Sequence, residues 1–201
     1  MLQNVVERVS RAKLLEHTIV ACPCSDAREI FLAVDAITYH PLIDENDLIG
    51  RFLACAKNFE ADFIIRVCAD NPCVEPAEID HLVRNKNAFG EWRLLMNSEN
   101  IHFGYDGFGG EFYSLRMLEW MDRVIKDPKY REHPHKFWAR LDLIDYCGKP
   151  YPPGFRLEVN TPEEYEKLKR IYDHFGHNHF TVKEAMDYLG SQDLEKLNLP
   201  A

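Results

Sequence analysis

A single α/β domain built on a mostly parallel sheet is the fold class that this sequence predicts, and three observations predict it. Short apolar runs of strand length alternate with segments whose apolar residues recur at helical spacing. Capping residues, prolines and glycines stand at the junctions between them, where helices start and stop. The run Phe63-Ile-Ile-Arg-Val67 is almost continuously β-branched or aromatic, which suits a strand covered on both faces. The 201 residues contain no repeat and no low-complexity linker, so 1–201 is read as one domain with a full-sized core.

Taken in order, the elements support that class. Leu2, Val5, Val6 and Val9 share a helical stripe, and His17 to Ala21 reads as a short strand. Ser25 is placed to cap a second helix carrying Ile30, Phe31, Val34 and Ile37. The polar loop Asp44 to Asp47 leads to a third helix with Leu48, Phe52, Leu53 and Ala56 inward. After the strand at Phe63 comes a helix from about Pro76 to Asn85. Each unit is strand, turn, helix, strand, which predicts parallel pairing through right-handed crossovers.

The second half is less regular. Trp92 to Met96 is a strand candidate, and Gly104 to Gly110 is glycine-rich without the spacing or flanking elements of a phosphate-cradling loop. It reads as a substrate-side loop or a simple chain reversal. Ser114 caps a helix bearing Leu115, Leu118 and Met121, and Arg131-Glu-His133-Pro-His135 follows in a loop broken by proline. Arg156 to Val159 is a short strand candidate ending at Asn160. Thr161 with Glu164 is a capping box closed by Gly176, and Thr181 with Glu184 opens a last helix expected to stop at Gly190.

Composition narrows the function classes. The net charge of −9 and the lack of any dense Lys/Arg block argue against nucleic acid as a partner. No apolar run reaches membrane-spanning length, and no basic-then-apolar leader opens the chain, so a cytoplasmic location with no membrane partner is expected. Six cysteines without CxxC spacing read as reduced, packed thiols.

Chemistry concentrates at Asp70. It stands just past the apolar strand, before Asn71-Pro72, and ligands of open α/β sheets bind outside the carboxyl ends of the strands. Such a carboxylate either holds a metal ion or substrate hydroxyl, or caps an ordinary strand-to-helix loop.

The order of motifs resembles the cytidylyltransferases of the spore-coat-polysaccharide type, relatives of the CMP-sugar-acid synthetases. The matching segments are Met1-Leu-Gln-Asn-Val-Val-Glu-Arg-Val, an acidic stretch before Leu48-Ile-Gly-Arg51-Phe52, and Arg66-Val-Cys-Ala-Asp70-Asn-Pro72. They continue with Gly107-Phe-Gly-Gly-Glu111-Phe112, Arg131-Glu-His133 and Leu157-Glu-Val-Asn160-Thr-Pro-Glu163. The resemblance runs over essentially the whole chain and implies a Rossmann-like, nucleotide-diphospho-sugar-transferase-like sandwich. It also implies the reaction of CTP with a sugar or sugar acid to give a CMP-sugar and pyrophosphate, on a homo-oligomeric protein.

By the same resemblance, Mg²⁺ is held at Asp70 and Asn160, Arg66, Arg131 and His133 are catalytic, and Arg51, Asn97 and Glu111 contact nucleotide or sugar. Two departures bear on activity. The family's first strand and its glycine- and base-rich triphosphate loop precede the helix that here opens at Met1, so a sheet lacking that strand, with weak or absent catalysis, is expected. Asn160 stands where the family has a second metal-binding aspartate, and an amide brings no negative charge to a hard dication. The alternative expectation is a non-catalytic sugar- or partner-binding subunit.

Overall fold

The computed structural model describes residues 1–88, 90, 92–97, 99–100, 105–148 and 151–197. Its first half runs α1 (Leu2–Val9), β1 (Ile19–Ala21), α2 (Ala27–Ala33), β2 (Ile37–Tyr39), α3 (Leu48–Asn58), β3 (Phe63–Arg66) and α4 (Pro76–Asn85). The chain continues through β4 (Leu94–Met96), β5 (Glu99–Asn100), β6 (Tyr105–Asp106), β7 (Glu111–Ser114) and α5 (Leu115–Val124). It ends with α6 (Pro128–Glu132), α7 (Pro134–Arg140), β8 (Ile144–Tyr146), α8 (Pro162–Phe175) and α9 (Val182–Leu197).

The α/β class is as the sequence predicts, with one reversal in the sheet. The main sheet has the order β3-β7-β4-β8, and β1 and β2 form a separate ribbon. The expected parallel pairing holds for β1 with β2 and for β4 with β8. Strand β7 runs antiparallel to both of its neighbours, opposing Ile65 with Phe112 and Arg66 with Glu111 on one side and Leu95 with Phe112 on the other. Strand period then sorts the side chains of β3. Ile64 faces a core of Ile49, Ala56, Tyr113, Leu118 and Trp138 under α3 and α5, and Ile65 and Val67 face Val5, Val9 and Ile79 under α1 and α4.

Among the described residues, neither β1 nor β3 has a partner on the side facing the other. Between them lies a cavity of about 440 Å³, lined by both strands, by Val5, Val6 and Val9 of α1, and by Phe52 and Cys55 of α3. Among the described residues the sheet is therefore interrupted between β1 and β3. The open flank also explains why β3, expected to be covered on both faces, is only half-buried.

Several elements differ from their expected extents. The second helix ends at Ala33 and Ile37 opens β2, because α2 buries none of its residues and has no packing to prolong it. The proline-broken stretch around His133 folds as α6 and α7, each with its proline in the first turn, where a missing N–H costs nothing. Residues Arg156 to Val159 form only an isolated parallel bridge from Arg156 to Asp106. Helix α9 passes through Gly190 to Leu197. Both capping boxes form, and Gly176 takes the left-handed conformation that ends α8. Of the glycine-rich stretch, Gly104 lies outside the described residues.

Candidate active site

The carboxyl end of β3 gathers the charged side chains. Arg66, the last residue of the strand, points across the ladder at Glu111 of β7 and forms a buried ion pair with it. Tyr113, two residues further on and on the same face, donates its hydroxyl proton to Glu111 Oε2 at 2.7 Å, and His135 Nδ1 of α7 lies 3.4 Å from Oε1. Burial alone would push the Glu111 carboxyl up, but Arg66, His135 and Tyr113 outweigh it and hold the group at about 2. Arg66 in turn is held above its ordinary value, because the Glu111 charge outweighs the cost of burial. His133, at the start of α7, packs against His135 with ring centres 5.9 Å apart and the rings tilted by 59°, and burial together with Lys136 keeps its imidazole below the ordinary value.

Asp70 follows four residues after Arg66. Its carbonyl accepts from the Val159 N–H at 2.9 Å, which draws the Arg156 to Val159 segment alongside. The same segment is held on its other side by Asp106, whose carbonyl accepts from the Leu157 N–H at 3.0 Å. Gly107, at φ +101°, makes that approach possible, since a Cβ there would stand 2.4 Å from the Glu158 nitrogen. Glu158 is buried and ion-paired with Arg156. Asp70 Oδ1 is buried without a hydrogen-bond partner. Burial raises the Asp70 carboxyl above its ordinary value, and the neighbouring Glu158 charge adds to the rise.

The remaining expected site residues are committed to holding the frame. The Asn97 side chain donates to the Glu78 carbonyl at 2.9 Å and to Glu78 Oε2 at 3.1 Å, and accepts from the Gly110 N–H at 2.9 Å. A Cβ on Gly109 would lie 2.2 Å from the Asn97 carbonyl oxygen, so only glycine lets the loop close this tightly. Arg131 grips Asp47 with two hydrogen bonds of 2.9 and 2.8 Å and reaches Asp122 Oδ1 at 2.7 Å and the Ile125 carbonyl at 2.9 Å. Arg51 is buried and donates to the Glu45 carbonyl. Asn160 is exposed, and its backbone N–H caps back onto Glu164 at 2.7 Å.

The structure thus brings Arg66, Asp70, Glu111 and His133 to one end of the sheet. It places Arg51 and Arg131 in the bracing of the loop before α3, and Asn97 beneath the Gly109-Gly110 turn. Sequence reasoning missed Tyr113, His135 and Glu158. Strand alternation offered a signal for Glu158, since residues 156, 158 and 160 of an extended segment share a face. Among the described residues no three His, Cys, Asp or Glu converge as a ready-made metal cage. A cation at Asp70 would therefore complete its coordination with phosphate oxygens and water, as Mg²⁺ commonly does, and the unpartnered Asp70 oxygen fits that use.

An open α/β sheet with its charged residues outside the strand ends is the arrangement of a ligand-binding α/β protein. Comparison with known proteins narrows the class. The cytidylyltransferase family model matches residues 1–174, and the chain belongs to that family. It is similar to the spore coat polysaccharide biosynthesis protein SpsF of Bacillus subtilis (strain 168), at 24% identity over 140 residues, or 66% of this chain; the match spans only 56% of SpsF. It is also similar to the 3-deoxy-manno-octulosonate cytidylyltransferase of Solibacter usitatus (strain Ellin6076), at 23% identity over 86% of this chain and 84% of that protein.

Among solved structures, a cytidylyltransferase from Leptospira borgpetersenii serovar Hardjo-bovis (strain JB197) superimposes with a TM-score of 0.83 at 24% identity. That match covers 100% of this chain and 87% of the other. A CMP:2-keto-3-deoxy-manno-octonic acid synthetase complexed with CTP aligns with a TM-score of 0.57 at 13% identity, covering 86% of this chain and 87% of that one. These likenesses establish the fold.

Proposed function

We propose that the chain catalyses formation of a CMP-sugar, in which a hydroxyl oxygen of a sugar or sugar acid bonds to the α-phosphorus of CTP. The bond from that phosphorus to the pyrophosphate oxygen breaks, and the hydroxyl proton passes to solvent. Such transfer depends on alignment and charge neutralisation more than on a special nucleophile. The observation that carries the reading is Asp70, a carboxylate with a buried, unpartnered oxygen at the end of β3 in a chain of this family.

In this reading Asp70 holds Mg²⁺, with the Asn160 amide on the same segment side as a neutral neighbour. Bound there, the ion supplies neutralisation of the phosphate charge. Arg66 and His133 face the same mouth and add positive charge or hydrogen bonding to the phosphates or sugar. Glu111 sets the direction of Arg66, Asn97 the shape of the adjoining turn, and Arg51 and Arg131 the loop before α3. No described helix is long and apolar enough to cross a membrane, and we place the activity in the cytoplasm.

The test is direct. Incubated with CTP, Mg²⁺ and a panel of sugar acids, the protein should release pyrophosphate with at least one of them, and Asp70→Asn should abolish that release. A chain that binds CTP with Mg²⁺ but releases no pyrophosphate with any acceptor supports the second reading, a sugar- or partner-binding subunit. One observation favours that second reading: Arg51, Asn97 and Arg131 direct donors into the fold instead of the mouth.

We also propose a homo-oligomer. Among the described residues two strand edges lack partners across the β1–β3 cavity, and Phe31, Leu32 and Leu42 are 66%, 74% and 95% exposed on the β1–β2 side of the molecule.

A further inference from the structure

The neutral Asn160 leaves Asp70 without the second negative charge expected at that position, yet the structure supplies one two residues earlier. Glu158 has a side-chain exposure of only 3%, and its Oε2 atom is buried without a hydrogen-bond partner. Its other oxygen is held by Arg156. Asp70 presents the same feature: Oδ1 is buried and unpartnered. The two residues are adjacent in space, since Val159 N–H bonds the Asp70 carbonyl at 2.9 Å and the two carboxylates repel one another.

Two buried carboxylate oxygens with open lone pairs on hydrogen-bonded neighbouring segments are costly unless a cation or donor reaches them. The ion pairing of Glu158 points the same way. The Arg156 guanidinium contacts Glu158 and stands 3.8 Å from Asp106, so it is divided between two carboxylates and leaves the second Glu158 oxygen unpartnered. Asn160 is exposed, and its amide brings no charge.

We propose that Asp70 and Glu158 together form the divalent-cation site of this chain, with Glu158 taking the place that Asn160 leaves neutral. This rests on the reading of Asp70 as a metal ligand. Two carboxylates, completed by phosphate oxygens and water, are the number that Mg²⁺ commonly takes from protein. Arg156 is then the residue that regulates the site, because it competes with the metal for the Glu158 carboxylate.

Mn²⁺ alone, followed by the electron paramagnetic resonance signal of the free ion, tests this without reliance on turnover. Asp70→Asn and Glu158→Gln should each weaken binding at least about tenfold, and Asn160→Ala should change it less than about twofold. Arg156→Gln removes the competitor and should tighten binding several-fold, an outcome that loss of folding cannot imitate. If Asp70→Asn weakens Mn²⁺ binding while Glu158→Gln and Arg156→Gln leave it unchanged, Glu158 is not a ligand and the Asp70 reading survives. If none of the variants alters binding, or the wild-type chain takes up no Mn²⁺ at millimolar concentration, both readings fall.

Discussion

Arg66 and Glu111 stand directly opposite each other on β3 and β7 and close an ion pair whose side chains are 15% and 3% exposed. Breaking a buried pair from one side leaves an uncompensated charge, which costs about 3–5 kcal/mol. Glu111→Ala should therefore lower the unfolding free energy by roughly that amount in urea titrations, whereas Arg66→Met with Glu111→Leu should recover most of it. A double variant as unstable as Glu111→Ala alone would show that Tyr113 and His135, more than Arg66, anchor the glutamate.

The same glutamate fixes an acid limit. Its carboxyl titrates at about 2 in the folded chain against an ordinary value of 4.5. A depressed folded value contributes stability that is complete above the unfolded value and is lost as pH falls through the folded one. Denaturant midpoints should thus fall between about pH 4.5 and pH 2, and Glu111→Gln should flatten that part of the profile.

Asp70 has the opposite sign. Its carboxyl is raised by burial and by Glu158, so the folded state binds a proton that the unfolded state has released, and stability falls as pH rises from about 3.8. Asp70→Asn should leave the metal-free protein as stable as wild type or more so at pH 7, by thermal melting, while removing Mg²⁺-dependent CTP binding. A variant less stable without metal would assign Asp70 to capping its own loop.

Asn97 separates a structural from a substrate-contacting role. Among the described residues its side chain makes three hydrogen bonds, to Glu78 and Gly110, and each buried group left unpaired costs about 1–3 kcal/mol. Asn97→Ala should cost at least about 2 kcal/mol in the ligand-free chain. A fully stable Asn97→Ala protein with weakened sugar or CTP binding would return Asn97 to the binding surface.

Sedimentation at micromolar concentration should show a dimer or larger species. A monomer would mean that the exposed Phe31, Leu32 and Leu42 and the unpaired strand edges are tolerated without a partner.

Much of this arrangement was legible in the chain because local physics determined it. The strand opening at Phe63, the Ser114 cap and both capping boxes follow from neighbours in sequence and stand in the structure where expected, with the strand closing at Arg66, one residue short of Val67. Strand direction did not follow, because antiparallel β7 is set by which edges pair, and Glu111 gave no local sign of that. Arg131 looked like a catalytic cation. Its partners, Asp47 and Asp122, lie 84 and 9 residues away, and only the tertiary fold reveals that they hold it. Glu158 gave only a weak sign, the alternation that puts it on one face with residues 156 and 160, and its burial follows from the tertiary pairing of that segment with Asp70 and Asp106.

The cavity between β1 and β3 also governs how the molecule comes apart. Hydrogen-bond ladders are what make neighbouring strands open together, and among the described residues no ladder joins these two. The β1–α2–β2 segment is joined to the main sheet chiefly through α3, and α2 buries none of its side chains. As a sparsely anchored segment it should open as its own unit, its amides exchanging with solvent at a lower free energy than those of β4 and β7. The ribbon can detach while the charged mouth at Arg66, Asp70 and Glu111 stays assembled, so local opening and loss of the site are independent events.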